Sequence, residues 1–343
     1  MIARMNLLII TNNPDRASFR QRIRAYLHIL KANDIAYEVV KLPTEFLARR
    51  RFFKKAAGYE VVLVQKKRLN CLDALWLRGY SRKIIYDFDD AVMYSDKNPD
   101  CYSLSRLISF RRTVKLADMV IAGNSYLAEH ARQFNSNVEV LPTGLDTSAY
   151  KPVQGLKNSD KIRLVWIGSK STLKYLAEIK PALEEIGSRF DNVVLRIICD
   201  DFFDLNNMEV EQGRWSEQTQ VLDLVTSDIG LAPLPDNRFT RGKCGFKILQ
   251  YAAAGLPVIA SPVGVNAKYV DNGITGFHAA SISQWIERIS NLIENEQLRK
   301  NMSLAARQQV GKFDISVVGK RLLSIIENCI AKDTQTMSVQ CPK

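Results

Sequence analysis

The chain is poor in histidine, with three in 343 residues, and its six cysteines (Cys71, Cys101, Cys199, Cys244, Cys329 and Cys341) stand apart with no C-x-x-C pair. That excludes a clustered zinc site and a disulfide-stapled framework, and it suits a reducing compartment. No apolar run approaches the roughly 20 residues needed to span a bilayer. The opening MIARMNLLII holds too short an apolar run for a signal-peptide core, and TNNP ends it. A cytoplasmic location is therefore expected. No G-x-G-x-x-G follows the first apolar run, which disfavours an NAD-dependent enzyme. No helix-turn-helix, zinc or RRM signature accompanies the basic charge, so a nucleic-acid partner is disfavoured too. Repeats at a solenoid period are also missing.

What is present belongs to a globular protein: 46% hydrophobic and 24% charged residues, in a chain long enough for two domains. The net charge of +12 is uneven, since residues 1–150 hold 24 Lys+Arg against 15 Asp+Glu, a balance of +9. Such asymmetry fits an anionic partner for the first half, and it fits plain solubility as well.

Short apolar runs rich in β-branched residues recur between helix-length segments: NLLII (6–10), AYEVV (36–40), VVLVQ (61–65), KIIYD (83–87), MVIAG (119–123) and VEVLP (138–142). A second series follows with IRLVWIG (162–168), VVLRIIC (193–199), DIGLAPL (228–234) and PVIAS (257–261). Continuous apolar strands alternating with helices predict parallel sheets covered on both faces, an α/β doubly wound architecture. The polar interval 151–161, KPVQGLKNSDK, reads as a linker between domains at 1–152 and 160–310. Apolar spacing predicts a helix over 316–330, and residues 331–343 read as a flexible tail.

The stretch that carries chemistry is 241–266, RGKCGFKILQYAAAGLPVIASPVGVN. A loop with Gly242 and Gly245 enters a helix beginning at Phe246, and Gly255-Leu256-Pro257 stops it. A helix start offers free N–H groups and the positive dipole end to an anion such as a diphosphate. Lys243 and Lys247 are four apart, about one turn, a spacing expected to turn both ammonium groups to the same anion. Solvated lysines beside a glycine turn explain the same residues.

DIGLAPLPDN (228–237), RGKCGFKILQYAAAGLPVIASPVGVN and NGITGF (272–277) resemble the donor-binding half of family 4 (group 1) glycosyltransferases, the large retaining GT-B family. The resemblance is dense over about 160–310 and extends more loosely through YDFDDAV (86–92), ADMVIAGNSYLAEHA (117–131) and VLPTGLD (140–146). It implies two Rossmann-like domains facing a cleft, with a nucleotide sugar on the C-terminal one and an acceptor on the N-terminal one. A final helix would cross back to the first domain, and 316–330 is the candidate. It further implies a metal-independent, hexosyltransferase-type enzyme in polysaccharide biosynthesis, needing no cofactor beyond its nucleoside diphosphate sugar. The acceptor would be a glycan or lipid-linked saccharide.

The family's Glu-x7-Glu pair has no counterpart. Aligned on the helix and its Gly-Pro stop, the two positions hold Gly242 and Gln250. Gln250 still offers an amide to ribose hydroxyls, and Lys243 and Lys247 supply charge for a departing diphosphate. The missing carboxylates also favour the alternative of a non-catalytic module that binds a nucleotide sugar or glycan.

Further donor-side candidates are Gly168, Ser169 and Lys174 (or Lys170) after the first strand of the second domain, Asp236 with Asn237 in a loop, and Trp215 near the base. On the acceptor side stand Arg20 and Arg22, as clamps for a phosphate or carboxylate, and Asp89 and Asp90 within DFDD. The literal D-x-D there is read as acceptor-lining, with no metal assigned, and no histidine directly follows it. Finally, 45–57, EFLARRRFFKKAA, places Phe46, Phe52, Phe53, Ala56 and Ala57 on one side and Arg50, Arg51, Lys54 and Lys55 opposite. Two readings fit: a helix resting peripherally on an anionic membrane, or a core-facing helix with a solvated basic face.

Overall fold

The computed structural model describes residues 5–99, 101, 103–151 and 160–337, with side chains to 331. The chain divides into two compact units. The first comprises the described residues of Met1–Gly144, Asn237–Cys244 and Ile315–Lys343; the second comprises those of Leu145–Asp236 and Gly245–Asp314.

In the first unit, β1 (Asn6–Thr11), β2 (Ala36–Lys41), β3 (Val61–Gln65), β4 (Lys83–Phe88), β5 (Met119–Ala122) and β6 (Val138–Val140) form a wholly parallel sheet in the order β2-β1-β3-β4-β5-β6. Alternate residues feed two cores. Leu8, Val62, Ile84 and Val120 pack under the helices Phe46–Lys54, Cys71–Tyr80, Leu104–Leu116 and Ser125–Arg132. Leu7, Val61, Ile85 and Ile121 pack under Ala17–Arg22, Leu27–Ala32 and Ile315–Met337. Both faces being dry is why the inner strands β1, β3, β4 and β5 are nearly continuously apolar, while the edge strands β2 and β6 carry charged residues.

In the second unit, β7 (Ile162–Ile167), β8 (Val193–Ile198), β9 (Glu209–Gly213), β10 (Ile229–Ala232), β11 (Val258–Ala260) and β12 (Gly276–His278) form another parallel sheet, ordered β12-β11-β10-β7-β8-β9. Strand order reverses between β7 and β10. A doubly wound sheet opens its crevice outside the carboxyl ends of such a strand pair.

Three boundaries differ from the sequence reading. Leu145 and Tyr150 are buried in the second unit's core, so that unit starts before 152. Residues 237–244 fold with the first unit. The last helix runs to Met337, where a tail from 331 was expected. Its apolar spacing ends at Ile330, but 331–337 contain no glycine or proline, and extending a formed helix costs far less than nucleating one. Most of the expected linker, 152–159, and residues 338–343 lie outside the described residues. No helix among the described residues is long and apolar enough to cross a membrane.

Candidate active site

The second unit holds one group of the expected residues. β7 ends at Ile167, and Gly168 and Ser169 form the turn into the helix Lys170–Ala177, at the strand-order reversal. The turn is closed by the Ser169 amide donating to Thr172 Oγ1 at 3.2 Å. Gly168 lies against the Trp166 indole: a Cβ there would fall 2.4 Å from a ring carbon. On the other side of the reversal, the chain leaving β10 reaches the helix Phe246–Ala253, whose N-cap Gly245 has φ 63°, a left-handed conformation that glycine adopts without strain. Phe246 packs on the core, and Lys247 holds its ammonium 4.3 Å from the centre of the same Trp166 ring. Trp166 thus brings together the 168–169 turn and the first turn of the 246–253 helix. The indole's π-face favours a cation there.

Gln250 is buried on that helix. Its Nε2 donates to Tyr150 Oη at 3.1 Å and to Gln220 Oε1 at 3.2 Å, and Gln220 Oε1 also accepts from Trp215 Nε1 at 3.3 Å. Burial pushes the Tyr150 phenol above its ordinary pKa, so it stays neutral. The Gln250 amide is thus held as a donor, because Gln220 Oε1 accepts from both it and the Trp215 indole. Gln250→Glu is expected to lower the melting temperature, at a cost of about 1–3 kcal/mol for a buried group set against an acceptor. Unchanged melting would contradict this reading.

Lys170 pairs with Asp201 at 3.1 Å, and the exposed Lys174 lies 5.1 Å from the Tyr175 ring centre. Asp236 is exposed. Asn237, in the first unit, closes a turn: its Oδ1 accepts from the amides of Phe239 and Thr240 at 3.0 and 2.9 Å.

The first unit holds the other group, and it corrects the expectation for Arg22. Arg22 is buried. Its guanidinium donates to both Asp87 oxygens and, at 2.7 Å, to the Leu141 carbonyl, so its donors are used inside the unit and not on an acceptor. Burial opposes the charge, but Asp87 outweighs it and holds the guanidinium above its ordinary pKa. Arg20 donates to the Asp15 carbonyl.

Asp89 and Asp90 face cations. Lys66 pairs with Asp89 at 3.0 Å and with Asp90, and Lys243 pairs with Asp90 at 3.0 Å while lying 4.6 Å over the Phe239 ring. Burial alone would raise the Asp90 carboxyl, but Lys243 and Lys66 hold it well below the usual range. A depressed carboxyl contributes its stability fully above the ordinary carboxylate pKa, and that contribution fades only in stronger acid. Lys66 adopts φ 56°, a costly conformation for lysine, at the carboxyl end of β3.

Asn124, which the sequence did not single out, donates at 3.1 Å to the carbonyls of both Gly242 and Lys243. Its own position before a helix is the only signal it gave, as an N-cap accepting from Leu127 N at 2.9 Å. These bonds seat 237–244 on the first unit. Lys243 is extended, with ψ 144°, and precedes the helix. It does not share a helix face with Lys247, and the premise of one anion held at helical spacing is corrected.

Residues 224–309 match the family model described as Glycosyl transferases group 1. Among solved structures, HepE of Anabaena in complex with UDP and glucose is 16% identical over 94% of this chain and 100% of that one, with a TM-score of 0.71. Sucrose-phosphate synthase from Thermosynechococcus elongatus is 13% identical over 96% of this chain and 100% of that one, with a TM-score of 0.76. WaaG, a glycosyltransferase involved in lipopolysaccharide biosynthesis, is 15% identical over 93% and 99%, with a TM-score of 0.68. No curated protein matches the chain. These likenesses establish the α/β fold with two parallel sheets of GT-B glycosyltransferases.

Proposed function

We propose that the protein transfers a sugar from a nucleoside diphosphate sugar to a hydroxyl of a glycan or lipid-linked saccharide, with retention and without a metal. The observation that carries this is Trp166, which sets the Gly168 turn and Lys247 together at the strand-order reversal of the second unit. The family match covers the helix that bears Lys247. HepE, of the same fold, was crystallised with UDP and with UDP-glucose.

Lys247 and the amides at the start of its helix take the diphosphate, and Gln250 takes the ribose through its free carbonyl lone pairs. The bond from the anomeric carbon to the phosphate oxygen breaks, and the acceptor oxygen bonds to that carbon on the same face. The acceptor's proton passes to the departing phosphate, which leaves as the nucleoside diphosphate. Lys243 has a different part: held by Asp90, it seats the 237–244 loop.

A panel of nucleoside diphosphate sugars tested by thermal shift, followed by measurement of nucleoside diphosphate release, checks the reading. A specific donor raises the melting temperature by mass action and is consumed when an acceptor is present. If no member of the panel stabilises the protein or is consumed, the reading is wrong. Stabilisation without release would favour a non-catalytic binding module, which the replacement of both family carboxylates by Gly242 and Gln250 supports.

A further inference from the structure

Three helices of the first unit, Phe46–Lys54, Cys71–Tyr80 and Leu104–Leu116, lie side by side over one face of its sheet. Their inner sides are core: Phe53, Leu77 and Phe110 are fully buried. Polar bonds fasten them to one another and to their neighbours. Arg49 reaches Asp73 at 2.9 Å, Arg112 donates to the Leu69 carbonyl at 3.0 Å, and Arg78 pairs with Asp118 at 2.7 Å.

This placement removes the membrane face read from the helical wheel. Phe53 and Ala56 belong to the core and Phe52 packs against it, so three of the residues assigned to the bilayer are committed inward. The wheel treated an isolated helix, whereas this one is covered by the sheet.

A different surface remains. The outer sides of the same three helices present Phe46, Leu47, Leu72, Leu75, Leu104 and Ile108 to solvent, with Leu47 72% exposed and Leu75 and Leu104 each 67%. Phe46 and Trp76 meet at 5.1 Å, so apolar surface continues from the first helix to the second. Arg50, Arg51 and Lys54 on the first helix and Arg111 and Lys115 on the third are exposed beside them. The only carboxylate on the three helices is Asp73, which is buried and paired with Arg49. Large exposed apolar side chains framed by basic ones, with no exposed acidic group on the same helices, match a surface that is apolar below and anionic at its face.

We propose that the outer face of this three-helix layer docks on an anionic lipid bilayer, with the leucines and Phe46 entering the headgroup boundary and the arginines and lysines meeting lipid phosphates. With no helix among the described residues able to span the membrane, the attachment is peripheral. It stands independently of the transfer reaction, because it is read from binding to vesicles and not from turnover.

The test is co-sedimentation of the full chain with vesicles of phosphatidylcholine alone or of phosphatidylcholine mixed with phosphatidylglycerol. Variants are Leu47→Glu/Leu75→Glu, Arg50→Glu/Arg51→Glu and, as a control on the second unit, Leu304→Glu. Circular dichroism melting checks that each is folded. The wild type and the control should sediment with the anionic vesicles only, and each double variant should lose about tenfold or more in apparent affinity. No binding to anionic vesicles overturns the proposal, as does equal binding by every variant. Loss on charge reversal with Leu47→Glu/Leu75→Glu unaffected also overturns it, since adsorption would then be electrostatic alone. If the leucine variant instead changes the mass in solution by light scattering while vesicle binding persists, the face joins two copies of the chain and the proposal fails.

Discussion

Asp87→Ala is expected to cost about 3–5 kcal/mol of stability, the effect of removing one partner from a buried, hydrogen-bonded ion pair. Asp87 is the penultimate residue of β4, and its side chain is 4% exposed against 1% for Arg22. Without the carboxylate, the guanidinium keeps only the Leu141 carbonyl and stays charged in a dry site. Urea unfolding followed by circular dichroism reads the loss as a lower midpoint for the first unit's transition. The pair variant Arg22→Met/Asp87→Leu should recover most of it, because replacing both charges by apolar groups removes the desolvation penalty together with the attraction. A single variant within about 1 kcal/mol of wild type would mean that water reaches Arg22 and the pair does not secure the strand end.

That pair marks where sequence reading stopped. Arg22 and Asp87 are 65 positions apart and Asp90 and Lys243 are 153 apart, so neither partnership leaves a local pattern in one sequence. Both arginines after β1 read alike as acceptor clamps, and only the fold turns Arg22 inward. The strands were legible for the opposite reason. Runs such as VVLVQ and IRLVWIG are dry on both faces and advertise it, whereas β9, EVEQG, hid. It is an edge strand whose Glu211 lies between Arg163 and Arg196, at 3.0 and 2.7 Å, so its polar residues are satisfied in place. β12 escaped as well, being only three residues at the opposite edge.

In the stretch 241–266 the glycines and the helix stop are legible in the sequence, but the different surroundings of its two lysines are not. The spacing rule assumed a helix through Lys243. The helix starts at Phe246 because Gly245 adopts the left-handed conformation that ends the preceding turn. A residue three positions before that start lies in extended backbone, where it meets Asp90. The same residues thus serve two structures: up to Cys244 they seat a loop on the first unit, and from Gly245 onward they build the second.

This division sets the outcome for Lys247→Ala. Trp166 is fully buried, and the Lys247 ammonium over its ring lies at the turn that holds Gly168 and Ser169. Lysine there brings a positive charge beside a buried ring at a half-exposed turn, and a charge that develops on a leaving diphosphate is stabilised by such a group. Turnover is expected to fall about 10²–10³-fold, the effect of losing one such stabilising group, while the melting temperature without donor barely moves. Lys243→Ala should behave in the reverse sense, lowering stability by leaving Asp90 with Lys66 alone, and affecting turnover only through the loop's position. The two variants, compared for melting and for nucleoside diphosphate release, separate the roles. If Lys247→Ala binds and turns over the donor as the wild type does, the diphosphate does not sit at the Gly168 turn, and the site must be sought elsewhere in the second unit.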